Sequence, residues 1–77
     1  MPFLLNELNV GDRARIVRLT GDDKAYRRKL LSMGLTQGTE FAVTRRAPLG
    51  DPIEIHIKDY NLTLRRDEAG AVLVEKI

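Results

Sequence analysis

The chain has no cysteine and no tryptophan, and only two tyrosines and two phenylalanines among its 77 residues. Without cysteine there is no disulfide framework, no thiolate metal site and no cysteine nucleophile. Exposed aromatic side chains are the platforms on which single-stranded nucleic acids stack, and they also line the grooves that bind proline-rich peptides. Their scarcity therefore argues against both kinds of binding site.

Long apolar runs are also missing, because no segment approaches the roughly 20 apolar residues that a membrane-spanning helix needs. Residues 1–7 lack the basic stretch and the long apolar stretch of a signal peptide. A chain of this length forms one domain with a small core. We therefore expect a single soluble domain over residues 1–77 that meets a membrane only through a partner.

The formal net charge is only +2, but the charge is unevenly distributed. Between residues 13 and 29 there are seven basic residues and only two acidic ones, Asp22 and Asp23. This pattern indicates a local basic surface rather than a basic protein. With so few aromatics, a solvated or protein-binding face is favoured over a nucleic-acid site.

Several short segments alternate apolar and polar residues, as half-buried strands do. We predict strands over Arg13–Leu19, Glu40–Arg46, 53–58, 62–66 and Val72–Lys76, with a hairpin connection at 59–61. Val17 and Leu19 break the alternation of the first strand and predict either a bulge or burial on both faces there. Residues 3–8 are predicted as an apolar lead-in with at most one helical turn, and residues 67–70 as another single turn. Pro48 and Pro52 restrict the loop 47–52.

One helix is predicted over residues 24–33. Either aspartate of the pair before it can cap its free N–H groups. Gly34 is suited to end it, because glycine adopts positive φ without a steric penalty, and Leu35 can then fold back onto Leu30 or Leu31. Gly38 is placed for the positive φ of a type II turn over residues 36–39.

These elements together predict a mainly β fold: a small SH3-like antiparallel β-barrel of about five strands, with one short α-helix inserted after the first strand. No residue pattern predicts catalysis. The pairs Asp22–Asp23 and Asp67–Glu68 lie at predicted helix starts, where capping explains them. His56 shares a strand face with Glu54, but two ligands are too few for a metal site. We predict no enzyme, no resident metal and no cofactor.

The end of the helix is the most interesting surface. Tyr26, Leu30 and Met33 share one helical face, whereas Leu31 lies about 100° from Leu30, so not all of them need face the core. Either all are core, or they form a partly exposed apolar ridge for a partner. The residues predicted to bind a partner are Tyr26, Arg27, Arg28, Leu30, Leu31, Met33, Pro48 and Leu49.

From residue 25 to 57 the chain reads AYRRKLLSMGLTQGTEFAVTRRAPLGDPIEIHI, and from residue 61 it continues as NLTLRRDEAGAVLVE. This sequence resembles the FeoA family of bacterial ferrous iron uptake. The most specific parts of the resemblance are the LLSMGL turn and the APLGDPI loop. Gln37 stands where the family often has proline. The resemblance implies an SH3-like fold and a small cytosolic accessory protein that contacts the cytoplasmic part of the FeoB membrane transporter. It favours the ridge interpretation.

Two other functions remain open at this point. The fold resembles that of the C-terminal domain of DtxR-type repressors, which would imply a module that senses metal or binds nucleic acid in trans. The several arginines would also suit a GTPase-activating protein that supplies an arginine finger to FeoB. Nothing in the sequence marks one arginine for that role.

Overall fold

The computed structural model describes residues 2–49 and 51–77, so Gly50 of the predicted loop 47–52 lies outside the described residues. A short 3₁₀ turn covers Leu5–Glu7. The other elements in chain order are β1 (Pro2–Leu4), β2 (Arg13–Leu19), α1 (Lys24–Ser32), β3 (Glu40–Arg46), β4 (Ile53–Ile57), β5 (Tyr60–Leu64), α2 (Arg66–Ala69) and β6 (Val72–Lys76). None of the helices in this part of the chain is long and apolar enough to cross a bilayer.

The described strands form one antiparallel sheet in the order β1-β6-β2-β3-β4-β5. The mainly β, SH3-like fold class is confirmed, but the described residues form six strands rather than about five. The additional strand is β1, which pairs with β6 through Phe3 and Val74. Three residues are too few to display an alternation, so the sequence showed only an apolar lead-in. Within the described residues the sheet is not closed, because β1 and β5 are its two edges.

Two irregularities interrupt the ladders of the sheet. The register between β2 and β6 shifts between Ile16 and Arg18, so the bulge, one of the two predicted alternatives, is the one observed at Val17. A second shift lies between Val43 and Arg45, where β3 pairs with β4. A bulge increases local bend and twist, so both help the sheet curve around its core.

The hydrophobic core joins one face of the sheet to Leu30 of α1, Ala69 of α2 and Leu5 of the 3₁₀ turn. The largest fully buried side chains are Leu5, Leu8, Ile16, Leu30, Leu35, Ile53, Ile55, Ile57, Leu64, Val43, Val72 and Val74. Phe41 is also buried, as the alternation in β3 predicts. Most of these residues occupy alternate strand positions, the pattern of a sheet with one buried face.

The β4–β5 hairpin differs from the prediction. Ile57 pairs directly with Tyr60, so the connection is the two residues Lys58 and Asp59 rather than 59–61. Lys58 takes the positive φ of +56° that this short turn needs. The strand expected at 62–66 therefore begins at Tyr60, and the expected turn at 67–70 begins one residue earlier, as α2.

Both ends of α1 form as predicted. Asp23 is the capping aspartate, since its carboxylate accepts from the backbone N–H groups of Ala25 at 2.9 Å and Tyr26 at 3.1 Å. Gly34 has φ +97°. Its N–H donates to Leu31 O at 3.0 Å, and the next N–H, that of Leu35, donates to Leu30 O at 3.3 Å. These two bonds are those of a Schellman ending.

Candidate partner-binding site

The two leucines at the end of α1 have opposite environments. Leu30 is 0% exposed and belongs to the core, whereas Leu31 is 43% exposed. Met33 is half-buried and packs against the core. The apolar residues at the end of α1 are therefore neither all core nor all exposed: Leu31 is the accessible leucine, Met33 is partly accessible and Leu30 is core. The 100° step between adjacent helical residues is the physical reason.

Leu31 forms one wall of an open groove with a volume of about 360 Å³. The groove lies between the end of β2, the outer face of α1 and the turn after the helix. Its lining residues are Arg18, Leu19, Arg27, Leu31, Leu35 and Gln37. Of the eight predicted partner-binding residues, the groove brings together only Arg27 and Leu31. Arg18, Leu19, Leu35 and Gln37 were missed, since β2 and the turn meet α1 only in the folded chain.

The charged side chains of this groove are arginines. Arg27 is positioned by a hydrogen bond from Nη2 to the carbonyl of Gly21 at 2.5 Å. Among residues 2–49 and 51–77, no carboxylate lies within 4.0 Å of the guanidinium of Arg18 or of Arg28. Arg15, on the same strand, shows the contrast, because it forms ion pairs with Glu75 at 3.0 Å and Glu40 at 3.5 Å.

The inner face of α1 is occupied by internal contacts. Lys29 Nζ lies 3.2 Å from a carboxylate oxygen of the nearly buried Glu68 on α2 and 5.9 Å from the centre of the Tyr26 ring. The hydroxyl of Tyr26 is buried without a hydrogen-bond partner among the described residues. Burial raises the pKa of this phenol, and the carboxylates of Asp67 and Glu68 raise it further. Tyr26 therefore lies against the body of the domain rather than on the outer face.

The predicted residues Pro48 and Leu49 lie away from the groove, in the loop between β3 and β4. Both are exposed, Leu49 to 87%. The start of α2 holds this loop, since the side chain of Arg66 donates to Leu49 O at 3.1 Å and its backbone N–H donates to Asp51 at 3.0 Å. The loop is thus a second exposed surface, separate from the groove.

His56 lies on the solvent side of β4, where the alternation places it. Its Nδ1 is 2.9 Å from Asn61 Oδ1. Glu54, on the same face, accepts a hydrogen bond from the hydroxyl of Thr44 at 3.0 Å. In the described part of the chain, no three His, Asp or Glu side chains are grouped so that they could hold a metal ion.

Comparison with known proteins identifies relatives of this chain. A family model described as the FeoA domain matches residues 3–76. A Porphyromonas gingivalis protein, described as a fusion of Fe(2+) transport protein A and the Fe(2+) transporter FeoB, is 44% identical over 73 residues. The match covers 95% of this chain but only 8% of the fusion protein.

Solved structures show the same relationship. The FeoA-like protein of Clostridium acetobutylicum superposes with a TM-score of 0.89 at 34% identity, covering 99% of this chain and 87% of that one. The FeoA protein of Stenotrophomonas maltophilia, solved in complex with zinc and described as a procaryotic SH3 domain protein, gives a TM-score of 0.79 at 26% identity. This match covers 97% of the chain and 89% of that structure.

Proposed function

This chain belongs to the FeoA family, and we propose that it is a cytoplasmic accessory protein of bacterial ferrous iron uptake that binds the cytoplasmic part of a FeoB transporter. It acts by binding and not by catalysis. The contact is made by the outer face of α1, with Leu31 as the apolar anchor and Arg27 and Arg28 beside it.

The observation that carries this proposal is the fusion protein, in which a domain 44% identical to this chain is covalently joined to FeoB. Covalent linkage keeps two domains at a high effective concentration, so even a weak contact between them is populated. Where the two are separate chains, the same contact must supply its own affinity. An exposed apolar anchor beside arginines suits such a contact, because the core of an interface buries apolar surface and interfaces are enriched in arginine and depleted in lysine and glutamate.

The experiment measures association between this chain and the purified cytoplasmic domain of FeoB from the same organism, by biolayer interferometry. Leu31→Gln is expected to weaken binding at least tenfold while circular dichroism stays unchanged. Val10→Gln is the matched control, because Val10 is also an exposed apolar residue, 58% accessible, in the turn before β2. It should bind like the unmodified chain.

Arg28→Glu tests the charged part of the surface. Exposed charges at an interface mainly steer the encounter of the two proteins. This variant should therefore lower the association rate constant by a larger factor than it raises the dissociation rate constant. The association rate constant should also depend less on salt. The proposal fails if the unmodified chain does not bind FeoB. If Leu31→Gln binds normally and Leu49→Gln does not, the loop 47–52 is the contact and α1 is not.

A further inference from the structure

We infer that the groove between β2, α1 and the turn after α1 binds an acidic peptide segment that carries one apolar side chain between carboxylates. The inference deepens the proposed function and rests on it, because it specifies the chemistry of the FeoB segment that would occupy this site. The groove supplies three kinds of contact, and each points to one feature of such a peptide.

The apolar part of the groove is formed by three leucines and can receive an apolar side chain. Leu35 is fully buried and forms the floor, half-buried Leu19 lies beside it, and Leu31 forms the wall toward solvent. A volume of about 360 Å³ is at the lower end of the range for small-molecule pockets, and this groove is open to solvent. An apolar side chain that projects from a peptide backbone could cover the exposed part of Leu31 without having to be enclosed on all sides.

The charge of the groove selects the residues that flank this side chain. Arg18 lies on β2 and Arg27 on α1, and none of the described residues that line the groove is acidic. The single carbonyl bond from Arg27 to Gly21 fixes its position but leaves other N–H groups of the guanidinium free to donate. Guanidinium groups bind carboxylates through paired hydrogen bonds, so carboxylates on both sides of the apolar residue complement the two arginines.

The remaining lining residue offers a contact to the peptide backbone. Gln37 is exposed in the turn after α1. Its side-chain amide has both donor and acceptor groups, as a peptide unit does. A phosphate-rich or purely anionic ligand would use the arginines but leave Leu31 and Gln37 without a role. The combination therefore favours an acidic-apolar peptide over a nucleic acid.

The direct test uses ¹⁵N-labelled protein and three synthetic peptides, followed by heteronuclear NMR. Acetyl-Asp-Asp-Leu-Asp-Asp-amide is expected to shift the amide resonances of Arg18, Leu31 and Gln37, with an affinity that falls several-fold when sodium chloride rises from about 50 to about 300 mM. Replacement of the central leucine by glutamine, or of the four aspartates by lysine, should remove most of the response. Equal responses to all three peptides, shifts located elsewhere, or no shifts at millimolar peptide would overturn the inference.

Charge-reversal variants test the arginines. Arg18→Glu is expected to weaken the peptide at least fivefold, and Arg27→Glu likewise if circular dichroism shows that it folds. Arg13→Glu is the matched control, because it makes the same charge change on the same strand, about 16 Å from Arg18 at the usual rise per residue. If Arg13→Glu weakens binding as much as Arg18→Glu does, net charge and not the groove is responsible, and the inference is wrong.

The same variants separate this inference from the proposed function. If the chain binds the FeoB cytoplasmic domain and the affinity does not respond to Arg18→Glu, the function holds and the acidic segment is rejected. If the peptide binds in the groove but the FeoB cytoplasmic domain does not bind the chain, the groove is a site for acidic peptides and FeoB is not the partner. A concentration-dependent shift of the same amides without peptide would identify a second copy of this chain as the occupant and would reject the inference.

Discussion

The hydroxyl of Tyr60 and the backbone of Gly34 lie in direct apposition, although 26 positions separate them in the sequence. Tyr60 donates to the carbonyl of Met33 at 2.7 Å and so satisfies a free acceptor at the end of α1. A Cβ atom built on Gly34 would collide with the same hydroxyl. Gly34 is thus required for two reasons, a positive φ and the close approach of β5.

These two requirements can be separated by substitution. Gly34→Val should lower the free energy of unfolding by more than about 1 kcal/mol, since a β-branched residue resists positive φ. Gly34→Ala should lower the free energy of unfolding more than Gly11→Ala does. Gly11 has a similar φ of +95°, but no atom lies within 4 Å of a Cβ added there. When Tyr60 is also replaced by phenylalanine, the two alanine substitutions should lower the free energy of unfolding by similar amounts. Urea denaturation of each variant provides the measurement, and an unchanged midpoint for Gly34→Val would reject the Schellman ending.

Tyr26 is expected to make stability sensitive to alkaline pH. Its folded-state pKa is raised, so as the pH rises past the ordinary value of about 10 the phenol of the unfolded chain ionises first. The unfolded state then binds fewer protons than the folded state, and stability falls as the pH increases. Tyr26→Phe should lose less stability between about pH 8 and 10.5. It should also be no less stable at pH 7, because the hydroxyl it removes is buried without a partner. Urea melts at both pH values test this.

Leu30 and Leu31 should respond differently to the same polar substitution. Leu30→Gln places an amide in the core and removes apolar packing, which should cost about 2–5 kcal/mol. The free energy of unfolding of a domain of this size is only about 5 kcal/mol or somewhat more, so a large fraction of the variant should be unfolded. Leu31→Gln should change the free energy of unfolding by less than about 0.5 kcal/mol. Thermal melts would contradict the assignment if the two variants behaved alike.

His56→Ala is expected to leave thermal stability and any ferrous-iron uptake phenotype near those of the unmodified chain. The hydrogen bond between its side chain and Asn61 is exposed and contributes little. Melting curves recorded with and without zinc or ferrous iron check the prediction. A metal-dependent rise in melting temperature that this substitution abolishes would show that His56 is a ligand after all.

Nucleic acid should bind only weakly. Tyr60 is 41% exposed, but it is engaged with the end of α1, and the net charge of +2 provides little counterion release. Fluorescence anisotropy with labelled single-stranded DNA and RNA should show no submicromolar affinity at physiological salt. Tight binding under those conditions would favour the repressor-like alternative.

Local sequence signals were sufficient for the elements that need only their own residues. An aspartate cap at Asp22 or Asp23, the stop at Gly34 and the alternation of Ile53, Ile55 and Ile57 each follow from backbone chemistry or strand periodicity within a few positions. The SH3-like fold class follows from their order. Strand β1 was missed because a three-residue segment has no measurable periodicity, and its pairing with β6 joins opposite ends of the chain.

The tertiary structure alone decided which surface is available to a partner. The sequence placed Leu30 and Leu31 together at the end of one helix, and only the packing of α1 on the sheet buries the first and exposes the second. Likewise, Arg18 and Gln37 are 19 positions apart, and the register of β2 brings them to one groove with Arg27. Periodicity reports which face of an element is apolar, whereas the composition of a groove depends on contacts between elements that no local pattern records.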